Sequence, residues 1–226
     1  MGASLETKSI VDAVYEVLWE RLVTGGVPLG SLLTEQSVAN EFGVARPTAK
    51  AAVERLVSDG LLVRDGRRRT HVLSLTRYAI RDVYASRLFV ERPINEALAA
   101  RGVGVPRAAT DAIDAMLRHA DAGEAAQVIA ADVAFHRALV ETYGSERVSR
   151  MHALVMAEAH VCMGQVQSHQ LLSARTIAGE HAGIVAAIER GDGPAAARLS
   201  HEHLARAEAT LLRNLFDDSS SEMADT

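Results

Sequence analysis

Residues Thr34 to Val72 read TEQSVANEFGVARPTAKAAVERLVSDGLLVRDGRRRTHV, and this stretch restricts the fold more tightly than any other part of the 226-residue chain. Thr34 can cap a short helix running through Asn40 or Glu41. Gly43 supplies the backbone freedom of a tight turn. Pro47 fits the first turn of the next helix, where its missing N–H costs nothing, and Val53, Leu56 and Val57 form that helix's apolar face. Asp59-Gly60 ends it. Leu61–Arg64 and Thr70–Leu73 are then predicted as short strands, joined through Asp65-Gly66 and a run of arginines. Helix, turn, helix and hairpin in this order is the layout of a winged helix-turn-helix, which places one helix in a DNA groove. A preceding helix is predicted over Ser9–Thr24, with Ile10, Val14, Leu18 and Leu22 recurring every four residues until Gly25-Gly26 and Pro28 stop it.

A net charge of −5 does not exclude a DNA partner, because the charge is unevenly spread. Residues 1–75 hold nine Lys/Arg against nine Asp/Glu, so the whole excess of acid lies beyond them. Arg64, Arg67, Arg68 and Arg69 crowd one hairpin, and phosphate binding needs a local basic face rather than a basic protein. Arg46, at the entry of the third helix, can fork onto a guanine edge. Thr48 and Lys50 follow on the same turn, and Lys50 can meet guanine or phosphate. Arg67, Arg68 and Arg69 can clasp phosphates or enter a minor groove. Such a run is commonly just a solvated hairpin, and it is the helix-turn-helix spacing beside it that points to DNA.

Beyond Arg77 the strand-like alternation disappears. Six helices are predicted: Arg77–Ala100, Pro106–Ala122, Ala125–Thr142, Ser145–Val166, Ser173–Arg190 and Pro194–Phe216. The expected architecture is mainly α, with a winged helix-turn-helix domain over 1–75 and an all-helical bundle over 76–216. The acidic, polar tail over 217–226 is expected to be disordered. One cysteine, Cys162, excludes an internal disulfide framework. No apolar run approaches the roughly 20 residues of a membrane span, and the start MGASLETKSI lacks the apolar core of a signal peptide. Cytoplasmic placement is expected.

The bundle carries polar groups on apolar stripes. Asp132 and His136 are four apart, so they share a helix face with Ile129, Phe135, Leu139 and Val140. His181 shares a stripe with Ile177, Ile184, Val185 and Ile188, and His203 with Leu199, Ala207 and Leu211. Groups of this kind are costly in a core unless paired or coordinated. One carboxylate and three imidazoles with open positions suit a divalent transition metal such as zinc, nickel or manganese. Bland alternatives remain at this stage. Asp132 and His136 can form a surface pair, His203 can be a satisfied core histidine, and His201 competes with it. His71, His119, His152, His160 and His169 are read as solvated or structural, and Cys162 as a small buried apolar residue.

The Thr34–Val72 framework resembles the winged-helix domain of the GntR family of bacterial regulators. Ala45-Arg46-Pro47-Thr48-Ala49-Lys50 stands where that family has Ser-Arg-Thr-Pro-Val-Arg, so Arg46 matches the first arginine and Lys50 replaces the second. The second half resembles the FCD ligand-binding domain of the FadR subfamily. Its hallmarks stand as Asp132-Val-Ala-Phe135-His136-Arg-Ala-Leu139, then Glu180-His181 with Ile184, Ala187-Ile188 and Gly191-Asp192, then His203. The resemblance implies that Asp132, His136, His181 and His203 are metal ligands and that a small carboxylate sits beside the metal. Arg87, in Arg87-Leu-Phe-Val-Glu91, matches an arginine that relatives place at the cavity, where a guanidinium fork suits a carboxylate. An ordinary Arg87–Glu91 helix salt bridge is the alternative.

The expected function is therefore a metabolite-responsive transcriptional regulator. A homodimer would bind a pseudo-palindromic operator, and a small organic or sugar acid in the bundle would alter its DNA affinity, most commonly by relieving repression. A metal-ion sensor is one rival. A metal-dependent enzyme is another, disfavoured because no acid/base or nucleophile motif accompanies the metal ligands.

Overall fold

The computed structural model describes residues 9–66, 69–166 and 173–216. The chain divides between Ser74 and Leu75 into two compact units. In the first, three helices, α1 (Ile10–Val23), α2 (Glu35–Phe42) and α3 (Arg46–Ser58), precede an antiparallel hairpin of β1 (Leu62–Arg64) and β2 (Thr70–Val72). Ser9 caps α1 by accepting from the Asp12 amide, and Thr34 and Ser37 form a reciprocal capping box on α2. Gly43 ends α2 at φ 62°, a left-handed conformation that an L side chain adopts only with strain. Val14, Leu18, Leu22, Val38, Val53, Leu56 and Leu61 fill the core. Tyr15 Oη donates to Asp59 Oδ2 at 2.6 Å, and the Arg55 guanidinium lies over the Tyr15 ring, fastening α1 to α3. The periodicity did not reveal a short extended piece at Leu32, which bridges His71 and adds a third segment beside β2.

The second unit is helical throughout its described residues: α4 (Arg77–Arg101), α5 (Arg107–Ala122), α6 (Ala125–Thr142), α7 (Glu146–Val166), α8 (Ala174–Glu189) and α9 (Gly193–Phe216). Each boundary falls within a few residues of its expected place, because capping residues and glycines set them locally. The predicted 217–226 tail lies outside the described residues. One apolar cluster joins Ile94 and Leu98 of α4 to Phe135 and Leu139 of α6 and Ile184 and Ile188 of α8. A second joins Ile80 and Tyr84 to Cys162, Leu204 and Leu211. The start of α9 comes so close to α4 that a Cβ on Gly193 would stand 3.2 Å from the Glu96 carbonyl oxygen. Two turns further along α9, the Ser200 hydroxyl accepts from Asn95 at 2.8 Å. Among the described residues no helix is long and apolar enough to cross a membrane.

Candidate metal centre

Helix periodicity delivers Asp132 and His136 from α6, and packing of α8 and α9 brings His181 and His203 to them. All four side chains are buried, and one ligand atom from each lies within 4.8 Å of all the others. His203 Nε2 stands 3.3 Å from His136 Nε2 and 3.4 Å from His181 Nε2. Asp132 Oδ1 is 3.4 Å from His181 Nε2 and 3.8 Å from His136 Nε2. Three imidazole nitrogens and a carboxylate oxygen thus converge on one centre, a donor set that fits zinc, nickel or manganese.

The outer nitrogens are fixed by carboxylates on other helices. His136 Nδ1 is 2.7 Å from Glu91 Oε2, and His203 Nδ1 is 2.8 Å from Glu180 Oε2. A carboxylate on Nδ1 selects the tautomer that leaves Nε2 as a lone-pair donor, the usual support of a metal-bound histidine. Glu180 in turn pairs with Arg206. His181 lacks such a partner, and its ring instead stacks on Phe135 at 3.9 Å between centroids. Burial lowers the pKa of His136, His181 and His203, most strongly for His181, so all three are neutral near pH 7 and available as ligands.

Glu91, expected only as a helix partner of Arg87, is a hub of the site. Besides His136 it accepts from Arg87 Nε at 2.8 Å and is bonded to His152 Nε2 at 3.1 Å. Burial alone would raise its pKa, but the Arg87 charge and the hydrogen bonds of His136 and His152 outweigh it and hold Glu91 well below its ordinary value. His152 and His160 are therefore not solvated: both are buried, and burial lowers His160 to about 4. Cys162 is buried, as expected, and its thiol is pushed up to about 12.

Arg87 forms the expected salt bridge and also borders a cavity. It makes the i,i+4 salt bridge to Glu91, yet that bridge is buried, with side chains 1% and 3% exposed. Its Nη2 and the hydroxyl of Tyr84 make no hydrogen bond. Both residues, with Asp132 and His203, line a chamber of about 70 Å³ beside the tetrad.

In the first unit Arg46 opens α3 and is exposed, 3.6 Å from Glu35. Lys50 is exposed one turn on, 3.6 Å from Glu54, and Thr48 between them is half-buried. Arg69 is exposed at the hairpin end, where its amide donates to Asp65 Oδ1 at 2.9 Å. Arg67 and Arg68 lie outside the described residues. The start of α3 has no side-chain cap; Pro47 carries no amide hydrogen, and the Thr48 and Ala49 amides donate to the Ala45 carbonyl at 2.9 and 3.2 Å.

Comparison with known proteins followed the same division. Residues 10–72 match the family described as bacterial regulatory proteins, gntR family, and residues 82–206 match the FCD domain. A candidate transcriptional regulator GntR from Rhodococcus sp. RHA1 superposes with a TM-score of 0.75 at 24% identity, covering 89% of this chain and 97% of that one. E. coli McbR/YncC gives 0.75 at 16% identity, covering 92% and 100%. The Listeria monocytogenes protein Lar gives 0.63 at 14% identity, covering 92% and 99%. These likenesses establish a shared fold. The search of curated proteins gave no match.

Proposed function

The chain belongs to the FCD-domain family and carries a gntR-family DNA-binding domain, which makes it a GntR-type transcriptional regulator rather than an enzyme, and from that premise we propose that it is an acid-responsive, metal-dependent member of the FadR subfamily. The observation that carries the reading is the buried Asp132/His136/His181/His203 tetrad with a chamber holding Arg87 and Tyr84 against it. The metal would be held by those four side chains and would supply an electrophilic centre for a carboxylate. Arg87 would offer Nη2 to the same acid group, while Glu91 keeps its Nε end in place.

Residues 1–75 form the DNA-binding module in this reading, and 76–216 the sensing bundle. Arg46, Thr48 and Lys50 enter the major groove from the first two turns of α3, and Arg67, Arg68 and Arg69 hold phosphates. A pseudo-palindromic operator needs two recognition helices, hence a homodimer. Phe89, 83% exposed on α4, lines an open groove with Ala85, Leu88 and Pro93, an apolar patch suited to a second copy. Effector binding shifts the dimer between states of different operator affinity, by on the order of 1–3 kcal/mol. Repression relieved by the acid, in the cytoplasm, is the expected sense.

A metal-sensing role is the second reading, since the tetrad alone suffices for it. The chamber's two unengaged polar groups, Arg87 Nη2 and Tyr84 Oη, favour an acid instead. Operator binding by fluorescence anisotropy, with and without zinc and with and without a panel of organic acids, separates the two. Acid-dependent release from the zinc-loaded protein supports the proposal. A response to zinc with none to any acid supports the metal sensor.

A further inference from the structure

A second space adjoins the chamber beside the tetrad. This larger cavity of about 400 Å³ shares Tyr84, Val128, Ile129, Met163, Ile177 and Ala207 with the chamber, so one set of side chains walls both spaces. A volume of that order matches a small-molecule site. The two spaces differ sharply in chemistry. The inner one touches Asp132, His203 and Arg87. The outer one has no lysine, arginine or histidine among its described lining residues, and Leu211 and Ala174 extend its apolar wall.

Apart from Tyr84, which both spaces share, the polar side chains of the outer cavity are already engaged. Glu124 pairs with His119 at 2.6 Å, and the Thr210 hydroxyl accepts from Arg213 at 3.3 Å. A polyhydroxylated acid placed here would lose water from its hydroxyls and find few partners in return. An apolar body would lose nothing polar and gain the burial of each methylene. At the inner end, Arg87 Nη2 and Tyr84 Oη are buried donors with no acceptor, which a carboxylate would supply.

We propose that the effector is a monocarboxylate with an apolar body: its acid group in the inner chamber against Arg87 and Tyr84, its body in the outer cavity. The inference rests on the acid-sensing reading above and narrows it, removing sugar acids from the expected class. The choice of effector is then made by the α5, α6, α8 and α9 residues of the outer wall rather than by the tetrad.

The test is calorimetric titration of the zinc-loaded full chain with acetate, butanoate, hexanoate and octanoate, and separately with gluconate. Each methylene buried strengthens binding about fourfold. Hexanoate should therefore bind at least about 50-fold tighter than acetate, and tighter than the six-carbon gluconate. Equal affinity along the alkanoate series, or gluconate binding as tightly as hexanoate, overturns the inference. If gluconate binds and releases operator DNA while the alkanoates stay flat, acid sensing survives and this inference alone falls. If none of these acids binds, both fall. Ala174→Phe, which places a ring in the outer cavity, should weaken octanoate more than tenfold and acetate less than twofold. Unchanged octanoate affinity in that folded variant also overturns the inference.

Discussion

A single carboxylate, Glu91, ties the candidate site to the rest of the bundle. It answers Arg87, His136 and His152 at once, and all four groups are buried. Removing one partner of a buried charged network leaves the others uncompensated. Glu91→Gln should cost about 3–5 kcal/mol in urea unfolding of the metal-free protein and weaken zinc about 10–100-fold, since His136 loses its orienting acceptor. A loss under 1 kcal/mol would show that Arg87 finds water instead. Tyr84→Phe should behave oppositely. It deletes a hydroxyl without a partner, so stability should hold or rise by up to about 1 kcal/mol while acid binding weakens severalfold. Asp132 and His136 were readable as a pair from their four-residue spacing, and His181 and His203 from their apolar stripes. The contact of Glu91 with Arg87, four residues away, was readable too, but those of Glu180 with His203 and of Glu91 with His152 were not, because the partners lie 23 and 61 positions away and only tertiary packing brings them together.

At the level of elements, caps and breakers decided most boundaries, and these act within a few residues. Ser9, Thr34, Gly43 and the glycines between the bundle helices are visible in the chain itself. Gly43→Ala forces a left-handed residue and should cost about 1 kcal/mol by urea denaturation; no cost would mean that the turn rearranges. The Leu32 bridge escaped notice because one residue carries no period. The run of α4 through Pro93 was legible, although the ring removes an amide that the Phe89 carbonyl would use. At the start of α3, Arg46→Ala should weaken operator binding by about 1–3 kcal/mol if the side chain reads a base. Equal operator affinity in anisotropy titrations would remove it from the interface.

Across the whole molecule, four depressed histidines, His136, His160, His181 and His203, give stability a predictable pH dependence. Their ordinary value is 6.5, and burial lowers each in the folded protein. Below 6.5 the unfolded chain binds protons that the folded chain refuses, so the metal-free protein should lose stability as pH falls from there toward the folded values. Glu91 is depressed too, so it adds a further loss as pH falls from its ordinary 4.5 through its folded value. The urea midpoint should be lower at pH 5 than at pH 7.5; equal midpoints would mean that the imidazoles are solvated. Bound metal should resist this loss until protons compete for the same nitrogens. The account's centre is that Asp132, His136, His181 and His203 together hold one divalent ion. Metal analysis of protein purified after zinc supplementation tests it most directly, comparing wild type with the folded double variant His136→Ala/His181→Ala. The account predicts about one ion per wild-type chain and none in the variant. A metal-free wild type, or full occupancy retained by the variant, would contradict it.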